Sequence, residues 1–317
     1  MNSRTVLVTG ASGFVGSAVM GLIGANPHFA PVAAVRTPDR WSGPGRAVAY
    51  DLLDETLPDL SGVDVVIHCA ARVHVMADAA LNPLEAYRAA NTLATARLAA
   101  HAAASGVRRF IFVSTIKVNG ETTLGRGPFT ATDAPAPQDP YGQSKLEAEQ
   151  ALIALAEYSS MEVSIIRPPL VYGPGVKANF KALMRALDRG LPLPCGALHN
   201  RRSMISVQNL ADLIVHCIDA PGAAGITLAR DQEQPTASEL MSELARALGR
   251  PPRLLPVPAA WLRTAGKLMG RGAWVSRLCD PLEVDLAQAA IRLGWQPPVS
   301  LKEGLRLTAQ AYHKEPK

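Results

Sequence analysis

Residues 5–16 read TVLVTGASGFVG, and the reading of this stretch decides the fold. Thr5–Gly10 is a short apolar run ending in glycine, the pattern of a strand buried on both faces of a parallel sheet. Gly10, Gly13 and Gly16 then follow in a GxxGxxG spacing, where the strand pattern gives way to a helix from Phe14 to about Ile23. Without a Cβ, such a turn lets backbone approach a pyrophosphate, and the helix N-terminus favours its negative charge. A glycine-rich turn alone is a weak signal. Here it follows a strand, opens a helix and begins an α/β series, so the binding reading outweighs that of a merely structural turn.

Working outward, PVAAVR, DVVIHCAA, RRFIFVST and MEVSIIRPP read as further buried strands. Between them lie PLEAYRAANTLATARLAAHAAASG and PYGQSKLEAEQALIALAEYS, both helical in pattern. Strand alternating with helix predicts an α/β fold, a doubly wound parallel sheet of the Rossmann type. No repeat of solenoid period is visible. After Pro169 prolines and glycines become frequent, as in VYGPGVKANF, RGLPLPCG and RPPRLLPVPAAW. The expected organisation is a dinucleotide-binding domain over 1–169 and a smaller, mixed α/β substrate lobe over 170–317. Two helical stretches in that lobe fall at about 178–189 and 237–248, and the segment at about 207–220 returns to the first domain.

The composition is that of a globular chain: 317 residues, 48% hydrophobic and 19% charged. No apolar run is long enough to span a membrane, and the first residues lack the apolar core of a signal peptide. Cys69, Cys195, Cys217 and Cys279 are far apart with no CxxC pair. A reduced, cytoplasmic protein without a disulfide framework or a metal site is the expectation. The net charge of +5 is uneven. Residues 1–150 hold 12 Lys+Arg against 13 Asp+Glu, whereas residues 151–317 hold 20 against 14. The surplus hints at an anionic ligand in the second half. No basic run with interleaved aromatics points to nucleic acid.

Several residues carry candidate chemistry. Arg36 ends the second strand, where an acidic residue suits the ribose of NAD and an arginine suits a 2′-phosphate; Arg40 could assist it. Asp51 and Leu52 follow another strand-like stretch and could hold the adenine edge. Ser114 and Thr115 end the strand in FIFVST, at the sheet edge where ligands bind, and a hydroxyl there could meet a substrate oxygen. DPYGQSK, Asp139–Lys145, places Tyr141 and Lys145 one helical turn apart. Pro140 suits the first turn and Asp139 suits the N-cap. A nearby ammonium favours the phenolate, so the pair could form a tuned acid/base.

The combination resembles the short-chain dehydrogenase/reductase superfamily. TGxxGxxG places the likeness among its extended members, the nucleotide-sugar epimerases, dehydratases and reductases. RPPLVYGPG (Arg167–Gly175), RRSMISVQNLAD (Arg201–Asp212) and LGWQPPVSLKEGL match later landmarks of that group, so the likeness covers nearly the whole chain. The resemblance implies Tyr141 as the acid/base, Lys145 as a ribose ligand that lowers the phenol's pKa, and Thr115 as the residue orienting the substrate. It implies NADP(H) or NAD(H) bound by Gly10, Gly13, Phe14, Val15, Arg36, Asp51, Leu52, Ala70, Ser114, Tyr141, Lys145 and Pro168. Asn179 and Arg202 would meet a UDP-sugar, Arg202 at its diphosphate. A homodimer is also implied.

There are departures. Ser206 and Asn209 stand where the group carries His and Asp, Pro168-Pro169-Leu170 replaces the epimerase YFN, and Arg277-Leu278-Cys279-Asp280 replaces R-x-G-D. Other features read as structural. His68 and Cys69 pack beside the cofactor, and Lys177, Lys181, Arg185 and Arg189 form a solvated helical stripe. WLRTAGKLMGRGAWVSRL, basic and amphipathic, fits core packing of the second lobe better than membrane contact.

The leading expectation is an oxidoreductase reducing a 4-keto nucleotide sugar, as in the similar reductases of UDP-2-acetamido-2,6-dideoxy-4-keto-hexose of surface-polysaccharide synthesis. The alternative is a UDP-sugar 4-epimerase that keeps tightly bound NAD. A dehydratase would carry Asp-Glu where Ile116-Lys117 stand. A non-catalytic cofactor sensor would have lost the Tyr/Lys pair.

Overall fold

The computed structural model describes residues 3–73, 82–270 and 272–315. Strand β1 (Arg4–Thr9) leads into helix α1 (Phe14–Gly24). Then come β2 (Phe29–Val35), β3 (Arg46–Ala49), β4 (Val65–His68), α2 (Pro83–Tyr87), α3 (Ala94–Ala104), β5 (Arg109–Val113), α4 (Pro140–Glu157) and β6 (Glu162–Arg167). With β9 (Gly225–Leu228) these strands form one seven-stranded parallel sheet, in the order β3-β2-β1-β4-β5-β6-β9.

The apolar runs are continuous because both faces of the sheet are covered. In β1, Val6 and Val8 pack on one side with Val19, Met20 and Ile23 of α1. Leu7, between them, packs on the other side with Leu98 and Ala102 of α3 and Leu152 of α4. The strand order reverses between β1 and β4. A crevice therefore opens beyond the C-terminal ends of the central strands, the place where open α/β sheets bind ligands.

Helix α4 starts as its sequence dictates: the Asp139 side chain accepts from Gly142 N at 2.7 Å, and Pro140 fills the first position. The long Ala-rich helix differs from its simple pattern. A π-helical turn over Arg88–Leu93 separates α2 from α3. Within it the buried Asn91 accepts from Arg72 N at 2.8 Å and donates to Ser144 Oγ at 3.1 Å, joining this helix to α4.

After β6 the short strand β7 (Leu170–Tyr172) pairs in parallel with β8 (Met204–Ser206). Helices α5 (Ala178–Asp188), α7 (Ala237–Ala247) and α11 (Leu301–Lys314) share a core of Tyr172, Phe180, Met184, Leu244 and Leu305. Helix α6 (Val207–His216) instead puts Leu210, Leu213 and Ile214 into the α1 side of the large sheet. Helices α8 (Ala259–Leu268), α9 (Gly272–Cys279) and α10 (Ala287–Leu293) complete the chain.

The core-packing expectation for 261–278 holds for α9 and for one face of α8, where Leu262 packs on the second-lobe core. Helix α9 buries Val275 and Cys279, whereas α8 buries only Gly266. Trp261, Ala265 and Leu268 share a helix face distinct from that of Leu262 and Gly266, and all three are exposed. Arg271, also in that stretch, lies outside the described residues. Among the described residues no helix is long and apolar enough to cross a membrane.

Candidate active site

The glycine turn is shaped by close approach. Gly10 has φ +65°, and a Cβ there would stand 2.8 Å from Ala70 N. A Cβ on Gly16 would stand 2.1 Å from Gly10 O, so α1 can leave β1 this tightly only with glycine at both positions. Gly13 caps α1 without any side-chain bond, and the first turn has no acidic residue. The helix therefore presents uncapped N–H donors beside Phe14 and Val15, a site suited to a diphosphate.

Thr9, at the end of β1, pins its neighbour: Thr9 Oγ1 lies 2.7 Å from His68 Nδ1, and His68 Nε2 lies 3.0 Å from Thr95 Oγ1. Burial, with Lys145 adding to it, lowers the His68 pKa to about 3, so this imidazole is a neutral strut. Burial raises the Cys69 thiol to about 12, which leaves it unreactive. At the outer edge, Arg36 is exposed beyond β2 and makes no ion pair among the described residues. Asp51 Oδ1 accepts from Leu53 N at 3.0 Å, and the Tyr50 hydroxyl close by is buried without a partner. Arg40 is exposed and does not line the cleft.

The centre of the crevice is built by β5 and α4. Lys145 is buried, with Nζ donating to Val113 O at 2.7 Å and lying 4.2 Å from the Phe112 ring centroid. Its pKa falls to about 7, chiefly through burial, with Glu149 opposing the fall. Tyr141 meets Tyr87 edge to face, with centroids 6.0 Å apart. Burial first, then the Asp139 carboxylate and Tyr87, push the Tyr141 phenol up. The Lys145 ammonium donates to the Val113 carbonyl.

Ser114 and Thr115 separate in role. The Ser114 hydroxyl is buried and donates to the Glu149 carboxylate, which also forms a buried ion pair with Arg167. Thr115 is half-buried, lines the cleft, and its hydroxyl accepts only from Lys117 N at 3.3 Å among the described residues. The sequence reading passed over Glu149, although its place one turn beyond Lys145 was a signal. It also passed over Lys117, which pairs with Asp139 and reaches Glu121 at 3.1 Å.

Across the crevice, Asn179 is exposed at the start of α5, next to Ala178 with a positive φ of 52°. Arg202 is half-buried, and its Nη1 donates to Asp280 O at 2.7 Å. Arg277 reaches Glu121 at 3.3 Å. The two departures near β8 are structural. Ser206 caps α6, accepting from Asn209 N at 3.1 Å, and Asn209 Nδ2 donates to Asp231 at 2.7 Å. Of the basic stripe, Lys177 lines the cleft and Lys181 pairs with Glu315.

Arg40 apart, the residues singled out for catalysis, cofactor or sugar nucleotide border one cleft of about 1530 Å³: Gly10, Gly13, Phe14, Val15, Arg36, Asp51, Leu52, Ala70, Ser114, Thr115, Tyr141, Lys145, Pro168, Asn179 and Arg202. They are spread from Gly10 to Arg202 along the chain and lie on both sides of the crevice.

Known proteins resemble this chain along its length. The sequence pattern described as the NAD dependent epimerase/dehydratase family matches residues 6–227. A Vibrio cholerae protein named UDP-glucose 4-epimerase is 47% identical over 314 residues, covering 98% of this chain and 95% of that protein. Among solved structures, MoeE5 in complex with UDP-glucuronic acid and NAD superposes with a TM-score of 0.74 at 26% identity, covering 98% of this chain and 99% of that one. The fold also matches UDP-N-acetylglucosamine 4-epimerase from Bacillus cereus, with a TM-score of 0.80 at 18% identity over 98% of this chain and all of that one.

Proposed function

The chain belongs to the NAD dependent epimerase/dehydratase family, and we propose that within it the protein is a UDP-sugar 4-epimerase. The observation that carries this reading is the 47% identity to a UDP-glucose 4-epimerase across almost the full length of both chains. The first expectation, a 4-keto reductase, has no comparable support from these relatives.

In this reading residues 1–169 hold the dinucleotide and residues 170–317 hold the sugar nucleotide. Gly10, Gly13, Phe14 and Val15 place uncapped backbone donors at the cofactor's diphosphate. NAD held there would supply the acceptor and donor of the hydride. Tyr141 takes the proton of the C4 hydroxyl and gives it back after the sugar has presented its other face. Thr115 hydrogen-bonds the same oxygen and holds it against the phenol. Lys145 would bind the nicotinamide ribose. Arg202 pairs with the UDP diphosphate, and Asn179 orients it. The hydrogen lost from C4 returns to C4, so no reductant is consumed.

One observation favours reduction as a second reading. Arg36 stands exposed beyond β2, bordering the cleft, where it suits a 2′-phosphate. The two readings part in one experiment: incubate the purified protein with UDP-glucose or UDP-N-acetylglucosamine, add no cofactor, and follow the sugar by NMR. Interconversion at C4 supports the epimerase. No interconversion, together with stoichiometric loss of added NADPH on a 4-keto sugar nucleotide, would overturn it. Tyr141→Phe should lower kcat by about 10²–10⁴-fold with little change in cofactor affinity.

A further inference from the structure

Helix α8 turns an apolar stripe to solvent. Trp261 is 72% exposed, Leu268 85%, and Met269, which caps the helix, 66%. Trp261, Ala265 and Leu268 fall at i, i+4 and i+7 and so share one face. Another face is already used: Leu262 packs against the core of Cys195, Leu198 and Met241 and borders the cleft. The outward stripe is thus surplus to the fold.

The charge around it has one sign. Residues 250–279 contain Arg250, Arg253, Arg263, Lys267, Arg271 and Arg277 and no Asp or Glu. Arg250, Arg263 and Arg277 are compensated from outside this segment by Asp188, Asp280 and Glu121. Lys267, beside Leu268, and Arg253 are exposed and make no ion pair among the described residues. A tryptophan and large aliphatic side chains on a helix whose exposed Lys267 is uncompensated fit a helix that lies in the plane of an anionic bilayer surface.

We propose that α8 docks this protein on an anionic membrane surface. Trp261, Leu268 and Met269 enter the headgroup region, and Lys267 pairs with lipid phosphates. Charge argues for lipid over a second copy of the chain, because an anionic bilayer supplies the partner that the exposed Lys267 lacks among the described residues. Since Leu262 and residues of α9 border the cleft from the inner side, docking would bring the sugar-nucleotide side of the site close to the bilayer. The proposal does not depend on which sugar is bound.

The test is co-sedimentation of the full chain with vesicles of phosphatidylcholine alone or mixed with phosphatidylglycerol. Binding to the mixed vesicles should exceed binding to the neutral ones by about tenfold at low salt and weaken as salt rises. Trp261→Ser combined with Leu268→Ser should abolish it, and Lys267→Glu should reduce it several-fold. All these variants should keep the wild-type circular dichroism and turnover, because none of the three residues lines the cleft. Failure of the wild type to sediment with the mixed vesicles overturns the proposal. So does sedimentation of the Ser variants at the wild-type level, which would assign binding to another surface. A wild-type dimer in gel filtration that the same variants convert to monomer would make the stripe a protein seam and would also overturn it.

Discussion

Replacing Glu149 with alanine tests the buried network beneath the candidate site. Its carboxylate receives Arg167 Nε at 3.0 and 3.1 Å, and Ser114 Oγ also donates to it. The two charged side chains are 1% and 2% exposed, so water cannot replace either partner. Arg167 would keep only the bond from Nη1 to Asn119 Oδ1, at 2.9 Å. Removing one member of such a pair costs about 3–5 kcal/mol, because a buried charge is left uncompensated. The orphaned Ser114 hydroxyl adds about 1 kcal/mol. Against a typical total of about 5–15 kcal/mol, this is a large fraction of the stability. The paired change Glu149→Leu with Arg167→Met should cost far less than the two single changes together, since it removes both charges at once. Urea unfolding at neutral pH of the wild type, Glu149→Leu, Arg167→Met and the double variant measures the cycle, and Glu149→Ala is measured beside them. A Glu149→Ala cost below about 1 kcal/mol, or strict additivity in the cycle, would refute the account.

The buried Lys145 gives a pH dependence with a definite sign. Its pKa is about 7 in the fold and about 10.4 in an unfolded chain. Between these values the unfolded chain binds more protons, so stability should rise from pH 7 toward pH 10 and be fully depressed below pH 7. Lys145→Met should flatten the rise in the urea midpoint. Ala178 has a positive φ of 52°, and relief of a strain of about 1–2 kcal/mol means Ala178→Gly should raise the melting temperature; a fall would contradict it. Arg36→Asp should shift the ratio of NADH to NADPH affinity toward NADH, and an unchanged ratio in calorimetric titrations would reduce Arg36 to a surface residue.

The sheet was legible because a strand buried on both faces must be apolar throughout, as in β1 and β4 to β6. β9 escaped notice: four residues at a sheet edge carry too short a pattern to stand out. The π-helical turn was hidden too, since its residues are as helix-compatible as their neighbours and only the bonds made by Asn91 set it apart. Glycine spacing located the turn at β1 because close approach leaves no other residue possible there. Sequence spacing fixed the distance from Tyr141 to Lys145 along a helix but not the Val113 carbonyl that receives the ammonium, nor the depth of burial that raises the phenol. Adjacent residues were equally deceptive. Ser114 and Thr115 look interchangeable in sequence, but alternation along the chain sends one hydroxyl to a buried carboxylate and leaves the other at the cleft. The core side of helix α8 was legible from its amphipathicity, but the second apolar stripe at Trp261, Ala265 and Leu268 was not, since one helix can carry two apolar faces.

The late arrival of β9 bears on how the chain folds as it is made. Its partner β6 ends at Arg167, and roughly 60 residues intervene before Gly225, occupying about 3–12 s at ~5–20 residues per second. Through that interval β6 is an open edge of a hydrophobic sheet, and α6, which covers the α1 side, is itself not yet complete for most of the time. Such an edge invites pairing with another nascent chain. Ribosome pausing or truncation between Arg167 and Gly225 should therefore yield aggregates, and a holding chaperone is needed most while this window is open.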